Sequence, residues 1–241
     1  MTGSAPVPAG NATAHVYWDR AWSTADGRQR WSDPDPFVAE RLPDLVARGA
    51  VRGLDLGCGP GRHAVAMAAA GLHALAVDAS PTALMLLGER VASEDLTVET
   101  IEATMTELPV PDASIDVVVA FNVVYHGDRG DARRAIAEVA RVLRPGGVYL
   151  STMLSKRHRN FGRGVEVSPD TFVDTSGRHV PGMPDDKAHP HLYCDAADLV
   201  ALHAGLAATS LQDLAQSGEG TNHWYCVFER RLTTTAGSDN A

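Results

Sequence analysis

Cysteine is scarce in this chain of 241 residues: Cys58, Cys194 and Cys226 are all it has. An odd, widely spaced trio is no disulfide framework and suits a reducing compartment. No apolar run approaches the roughly 20 residues that a membrane span needs. The opening Met1-Thr2-Gly3-Ser4-Ala5-Pro6 lacks the basic-then-apolar plan of a secretion signal. Positive charge is also in deficit, with 21 Lys and Arg against 30 Asp and Glu and a formal net charge of -9. Phosphate backbones and anionic membranes are bound by basic surfaces, so neither nucleic acid nor membrane is expected as a partner. A cytoplasmic location is the expectation.

What is present is an ordinary globular composition. The hydrophobic fraction of 44% is enough for one sizeable core, and the length fits one α/β domain with additions. Residues 1 to about 14 are small and polar and predict a disordered start. Three of the four tryptophans follow, in the segment His15 to Trp31, which reads as an aromatic cap ending near Pro36. Helical spacing covers Phe37 to Arg48, with Pro43 as a bend or start.

From Val51 the chain alternates strand and helix. Strands are predicted at Val51–Leu56, Leu75–Val77, Leu96–Ile101, Ile115–Phe121 and Val148–Met153. Helices are predicted at Arg62–Ala70, at Pro81–Val91 behind the N-cap Ser80, and at Asp131–Leu143. That alternation implies a mostly parallel sheet covered by helices on both faces. Ser155 to His191 breaks the rhythm with a high density of Gly and Pro, and a long loop there, extending to Cys194, reads as a lid. A helix at Asp195–His203 and strands at Leu206–Leu211 and His223–Phe228 complete the domain, taken as residues 37–232, before a polar tail from Thr233 to Ala241.

The densest chemical signal is Leu54-Asp55-Leu56-Gly57-Cys58-Gly59-Pro60-Gly61-Arg62, where the first strand turns into a helix. Glycines there let a backbone approach a ligand closely, and ligands of parallel sheets bind at the carboxyl ends of the strands. A dinucleotide fingerprint, G-x-G-x-x-G, would place its third glycine at Arg62, so a pyrophosphate fits poorly and a nucleoside fits better. The second signal is Asp78, which ends the second strand 17 residues after Gly61. A carboxylate at that place can accept hydrogen bonds from a ribose diol.

These two elements, followed by Thr104-Met105-Thr106-Glu107-Leu108-Pro109-Val110-Pro111-Asp112, Ile115-Asp116-Val117-Val118 and Leu143-Arg144-Pro145-Gly146-Gly147, resemble the class I S-adenosylmethionine-dependent methyltransferases of the small-molecule branch. The resemblance covers about residues 37 to 155. It implies a seven-stranded sheet of order 3-2-1-4-5-7-6, the seventh strand antiparallel, and S-adenosyl-L-methionine as cofactor. It also implies positions for that cofactor: Gly57, Cys58 and Gly59 against the methionine part, with Asp55 bracing the turn, and Asp78 on the ribose with Ala79 near the adenine. Met105 packs on the adenine, and Phe121 with Asn122 passes under the sulfonium. Thr104 stands where the family often has an aspartate for the adenine amino group. The segment Asn122-Val123-Val124-Tyr125-His126 lacks the Asn/Asp-Pro-Pro-Tyr found in enzymes that methylate DNA bases, which points to a small substrate.

His126, Tyr193 and His158 are the candidate catalytic residues, His126 foremost because an ordinary histidine pKa near ~6.5 suits a general base. Tyr17, Trp31, His191 and His223 are the candidate substrate contacts, the first two on a cap resembling that of tellurite-resistance-like and thiopurine-like methyltransferases. His189-Pro190-His191 and Cys194 carry ligating atoms without the spacing of a zinc motif, so no metal is expected. The reading is transfer of a methyl group to N, O or S of a small molecule, in natural-product tailoring or detoxification. A non-catalytic S-adenosylmethionine-binding regulatory or partner protein is the alternative. An NAD-dependent oxidoreductase is disfavoured by the missing third glycine.

Overall fold

The computed structural model describes residues 14–29, 31–174 and 186–232. Residues 1–13 and 233–241, where the sequence predicts disorder, lie outside the described residues, as does 175–185 of the predicted lid.

Four short helices come first: α1 (Ala14–Trp22), α2 (Ala25–Gln29), α3 (Pro36–Ala39) and α4 (Leu42–Ala47). The single helix expected at Phe37–Arg48 is therefore two. Asp35 caps α3 by accepting from the Phe37 N–H, and Pro43 falls in the first turn of α4, where its missing N–H costs no helical bond. The alternating part follows: β1 (Arg52–Leu56), α5 (Arg62–Ala69), β2 (His73–Asp78), α6 (Pro81–Ser93), β3 (Val98–Glu102), β4 (Ile115–Ala120), α7 (Arg129–Val142) and β5 (Leu143–Ser155). After it come β6 (Val165–Ser168), β7 (Thr171–Val173), a 3-10 turn (Asp186–Ala188), β8 (His191–Cys194), α8 (Ala196–Leu202), β9 (Leu206–Ala215) and β10 (Asn222–Arg230).

Five strands run parallel in the order β3-β2-β1-β4-β5. β10 lies antiparallel beside β5, and β9 antiparallel beside β10. Taking β10 as the seventh strand and β9 as the sixth, this is the order 3-2-1-4-5-7-6. Among the described residues the sheet nevertheless has ten strands, not seven. The segment read as a lid contributes the hairpin β6–β7 and the strand β8, which pairs in parallel with the end of β5 at Leu154 and Ser155. Lys156 and Arg129 fix that addition: the Lys156 ammonium lies 3.0 Å from Asp170 and 2.8 Å from Asp198, and the Arg129 guanidinium 3.1 and 2.9 Å from the same two carboxylates.

Helices on both faces bury β4 completely, which is why its sequence is apolar without alternation. The exception is Asp116. Its carboxylate accepts from the N–H groups of Val51 and Arg52 at 2.6 and 2.8 Å and pairs with Arg144 at 2.6 Å. It thereby sets the start of β1 against β4. Arg141 does the same for the Leu-Pro-Val-Pro segment: it donates to the carbonyls of Leu108 and Val110 and pairs with Glu138 and Asp112. The carboxyl ends of β1, β2 and β4 then open side by side, and the glycine turn, Asp78 and Asn122 meet there.

Candidate active site

The turn after β1 is built from residues that only glycine can supply. Gly57, Gly59 and Gly61 all have positive φ, at 64, 52 and 87°. A Cβ on Gly57 would lie 2.4 Å from a Val123 methyl, and one on Gly61 2.2 Å from a Leu87 methyl. The turn is tied down by the N–H groups of Gly57 and Cys58, both donating to the Val77 carbonyl, and by Asp55. Asp55 is buried behind the turn and accepts from the Ala64 N–H at 2.9 Å. The His63 ring stands alongside: its Nε2 accepts from the Asp35 N–H, which leaves Nδ1–H facing Asp55 at 4.0 Å.

Burial pushes the Asp55 carboxyl up to about 7, against the pull of the Ala64 bond and the Arg62 charge. In the unfolded chain the group ionises near ~3.9. Its contribution to stability is therefore complete below about pH 4 and is lost as pH rises through about 7, a change of roughly 4 kcal/mol. Denaturant unfolding at pH 4.5 and pH 8 should show Asp55→Asn gaining stability relative to the unmodified chain at the higher pH. Parallel profiles for the two proteins would remove this account.

Asp78 faces the turn from the end of β2. One carboxylate oxygen accepts from the Gly59 N–H and the other from the Ser80 N–H, both at 2.8 Å. Burial raises its pKa, and those backbone bonds oppose the rise. Ser80 caps α6, as predicted, by accepting from Ala83. Its hydroxyl also donates to Asp19 of α1 at 2.7 Å, and the Thr82 N–H donates to the same oxygen at 3.0 Å. The N-terminal helix is thus anchored on the start of α6, directly above Asp78.

This anchoring sets α1 over a half-open cavity of about 170 Å³. Leu56 to Gly59, Asp78, Ala79, Thr104, Met105, Phe121 and Asn122 line one side of it, and Ala14, Trp18, Trp22 and Trp31 cover the other. Trp18 stacks on Trp22 with ring centroids 5.1 Å apart and meets Trp31 edge-on at 5.8 Å. Arg62, which displaces the third glycine of a dinucleotide motif, lines the cavity too and lies 4.8 Å over the Trp31 ring. Asn122 occupies the left-handed region at φ 61° and is held by bonds with Thr152 and Gln216. The wall offers a glycine backbone turn, the Asp78 carboxylate, the Arg62 guanidinium and flat apolar surfaces. A nucleoside with an amino-acid tail fits that chemistry.

Of the candidate catalytic and substrate residues, His126 and Trp31 line this cavity. Tyr17 faces His189 and Trp18 instead, because on α1 the positions 14, 18 and 22 share one face and 17 lies beside it. The four-residue spacing of Trp18 and Trp22 is the sequence signal for the residues that do line the cavity. Tyr193, His158, His191 and His223 gather behind His126 in a buried layer and are not on the cavity wall. Tyr193 packs against Phe161, Phe172 and His158. Burial pulls the rings of His158, His191 and His223 down to about 3, 4 and 4, so all three are neutral at pH 7.

The same layer assembles a group that the sequence does not disclose. His126, Asp186 and His191, all buried, bring their ligating atoms within 4.8 Å of one another. Cys194, a ligand candidate by sequence, is not among them. Asp186 has no signal at all, since nothing in the chain order links it to His126.

The comparisons with known proteins agree with this geometry. Residues 54–147 match the family described as "Methyltransferase domain". A probable S-adenosylmethionine-dependent methyltransferase of Mycobacterium tuberculosis is 34% identical over 152 residues, 63% of this chain and 52% of the relative. The 27-O-demethylrifamycin SV methyltransferase of Amycolatopsis mediterranei is 33% identical over 137 residues, 55% of this chain and 47% of the relative. The chain thus spans about half the length of the curated relatives it matches. Among solved structures, the 1,6-didemethyltoxoflavin-N1-methyltransferase of Burkholderia thailandensis, with S-adenosylhomocysteine bound, superposes with a TM-score of 0.68 at 19% identity, over 95% of this chain and 93% of that one. At that identity the likeness speaks for the fold. Residues 54–147 thus carry a methyltransferase domain, and its sheet order and glycine turn are those that the resemblance to the class I S-adenosylmethionine-dependent methyltransferases implies.

Proposed function

We propose that this protein transfers a methyl group from S-adenosyl-L-methionine to a nitrogen, oxygen or sulfur of a small molecule. One observation carries the proposal: the glycine turn, the Asp78 carboxylate and the Phe121–Asn122 corner line one cavity, and an aromatic cap covers it. When bound, the cofactor supplies a methyl already activated on a sulfonium. The protein's own part is to align the acceptor with it and exclude water.

In this reading Asp78 accepts from the ribose hydroxyls, and Gly57 to Gly59 pass along the methionine part. Ala79, Thr104 and Met105 frame the adenine, and Phe121 and Asn122 lie under the sulfonium. Trp18, Trp22 and Trp31 close the opposite side. At the far end His126 reaches the cavity wall. Its Nδ1 donates to the Val123 carbonyl at 3.1 Å, and its Nε2 lies 3.3 Å from Asp186 Oδ2. A small acceptor suits a cavity covered in this way, and the net charge of -9 speaks against a polyanion. No helix among the described residues is long and apolar enough to cross a membrane. The three cysteines are free and buried, which suits a reducing compartment, and the cytoplasm is the location we propose. Rifamycin-type tailoring by one relative is the kind of chemistry the fold and cavity fit.

Titration calorimetry tests the reading. S-adenosylhomocysteine should bind with measurable heat and NAD should not, and a panel of small nucleophiles should contain one that yields S-adenosylhomocysteine from the methyl donor. Binding of the cofactor with no turnover across amines, phenols and thiols would favour the non-catalytic alternative. Heat from NAD alone would overturn both.

A further inference from the structure

We propose that His126, Asp186 and His191 form a site for one divalent transition-metal ion of the zinc class, at the acceptor end of the cavity. Nδ1 of His126 lies 3.1 Å from the Val123 carbonyl, and Nδ1 of His191 lies 2.7 Å from the His189 carbonyl. A carbonyl oxygen accepts only, so both Nδ1 atoms carry the hydrogen, and in the neutral tautomer it is Nε2 that presents a lone pair. Both lone pairs point at the same oxygen: Asp186 Oδ2 lies 3.3 Å from Nε2 of His126 and 3.2 Å from Nε2 of His191. With both Nε2 atoms free of hydrogen, one cation seated among the three atoms would meet a lone pair from each.

Two of the three spacings are those of a metal's ligand shell, and the third lies within 4.8 Å. Zinc binds imidazole nitrogen and carboxylate oxygen at about 2.0–2.1 Å, which puts neighbouring tetrahedral ligand atoms about 3.3 Å apart. The carbonyls behind each ring supply the outer partners that orient metal-bound histidines. Two imidazoles and one carboxylate suit zinc, iron, cobalt or nickel, whereas calcium and magnesium take shells of oxygen. Lys187 lies 3.1 Å from Asp186 Oδ1 and 3.3 Å from Oδ2, so an ion on Oδ2 would take the place of the longer of these two contacts. The fold also fixes the two histidines relative to one another: they form a β-bridge, and the Leu192 N–H donates to the Tyr125 carbonyl.

Three protein ligands leave a fourth position, the arrangement of catalytic rather than structural zinc. His126 borders the cavity, so this position is where an acceptor would ligate. The consequence for catalysis rests on the methyl-transfer reading; metal binding itself does not. An acceptor hydroxyl held there loses its proton to solvent water, and the resulting oxyanion attacks the methyl carbon. A C–O bond forms, the S–C bond breaks, and its electron pair goes to sulfur. The substrate class this selects is an oxygen acceptor able to ligate a metal.

The full-length protein, stripped with a chelator, is titrated with zinc chloride and with cobalt(II) chloride, and S-adenosylhomocysteine affinity is measured on the same samples. The expected result is one ion per chain, with the intense visible bands of four-coordinate cobalt(II). Asp186→Ala and His191→Ala should each lose at least about 100-fold in metal affinity, beyond what loss of an outer partner costs, while still binding S-adenosylhomocysteine. The cobalt spectrum of the unmodified chain keeps the test valid should a variant fail to fold. Metal affinity no greater in the unmodified chain than in the double variant would overturn the site and leave a proton shared among the three side chains. Failure of S-adenosylhomocysteine to bind the unmodified chain would sink the methyl-transfer reading separately, with the metal result standing by itself.

Discussion

Asp78→Ala should bind S-adenosylhomocysteine at least about 100-fold more weakly than the unmodified chain. A hydrogen bond to a charged group is worth about 1.5–3 kcal/mol, and a carboxylate that meets both hydroxyls of a ribose makes two of them. Two such bonds lost at the lower figure amount to about 3 kcal/mol, or about 100-fold in Kd. A further loss comes from the protein side. Asp78 also accepts from Gly59 and Ser80, so its removal frees the glycine turn and the start of α6. Asp78→Asn separates the two effects. Its one amide oxygen can keep a single backbone bond and its NH₂ cannot accept from a hydroxyl, so it should fall between the unmodified chain and Asp78→Ala. Calorimetry reads both variants directly, and an unchanged affinity in Asp78→Ala would remove the ribose contact and the orientation of the cofactor that follows from it.

That the glycine turn, Asp78 and Asn122 line one cavity is legible in the sequence, for a physical reason. The glycine turn and Asp78 sit at the ends of adjacent parallel strands, so their distance in sequence and their closeness in space are both set by one strand–helix–strand unit. The same holds for Phe121 and Asn122 at the end of β4, which pairs with β1. Strand order, the N-caps Ser80 and Asp195, and the antiparallel final pair are readable on like grounds, since each depends on local pattern. The segment 155–194 is not. Its glycines and prolines report turns, and nothing local reports that Leu154 and Ser155 take a parallel partner from Tyr193 and Cys194. The buried layer of histidines depends on that pairing, so four of the residues assigned to catalysis or substrate fall behind the cavity. His126 alone of that layer reaches its wall, because it follows β4 and so inherits the position of the sheet. Trp18 and Trp22 are within reach of sequence reasoning, since helical spacing along α1 favours them over Tyr17.

Trp18→Ala is the variant expected to tell a closed, cation-sensing cap from a passive one. Trp18 lines the cavity, stacks on Trp22, and lies edge-on to His126 with centroids 6.0 Å apart, which puts its ring toward the acceptor end. An aromatic face holds a cation with about 0.5–2 kcal/mol, more where water is excluded. S-adenosylmethionine carries that cation at sulfur, and S-adenosylhomocysteine, otherwise alike, does not. A ring that faces the sulfonium predicts that Trp18→Ala weakens the methyl donor more than the product, by a factor of about 3–30. A ring that only fills space predicts equal losses for both. Trp18→Phe should restore much of the difference, since it keeps an aromatic face. Asp19→Ala then serves as the companion variant. It leaves every ring in place but removes the bonds to Ser80 and Thr82 that hold α1 down, so it should weaken donor and product alike. Calorimetric affinities for the pair, measured on all four proteins, decide the matter. Equal losses in Trp18→Ala would leave the tryptophans as a lid, and a selective loss would make Trp18 part of how the protein recognises a methyl group ready to leave.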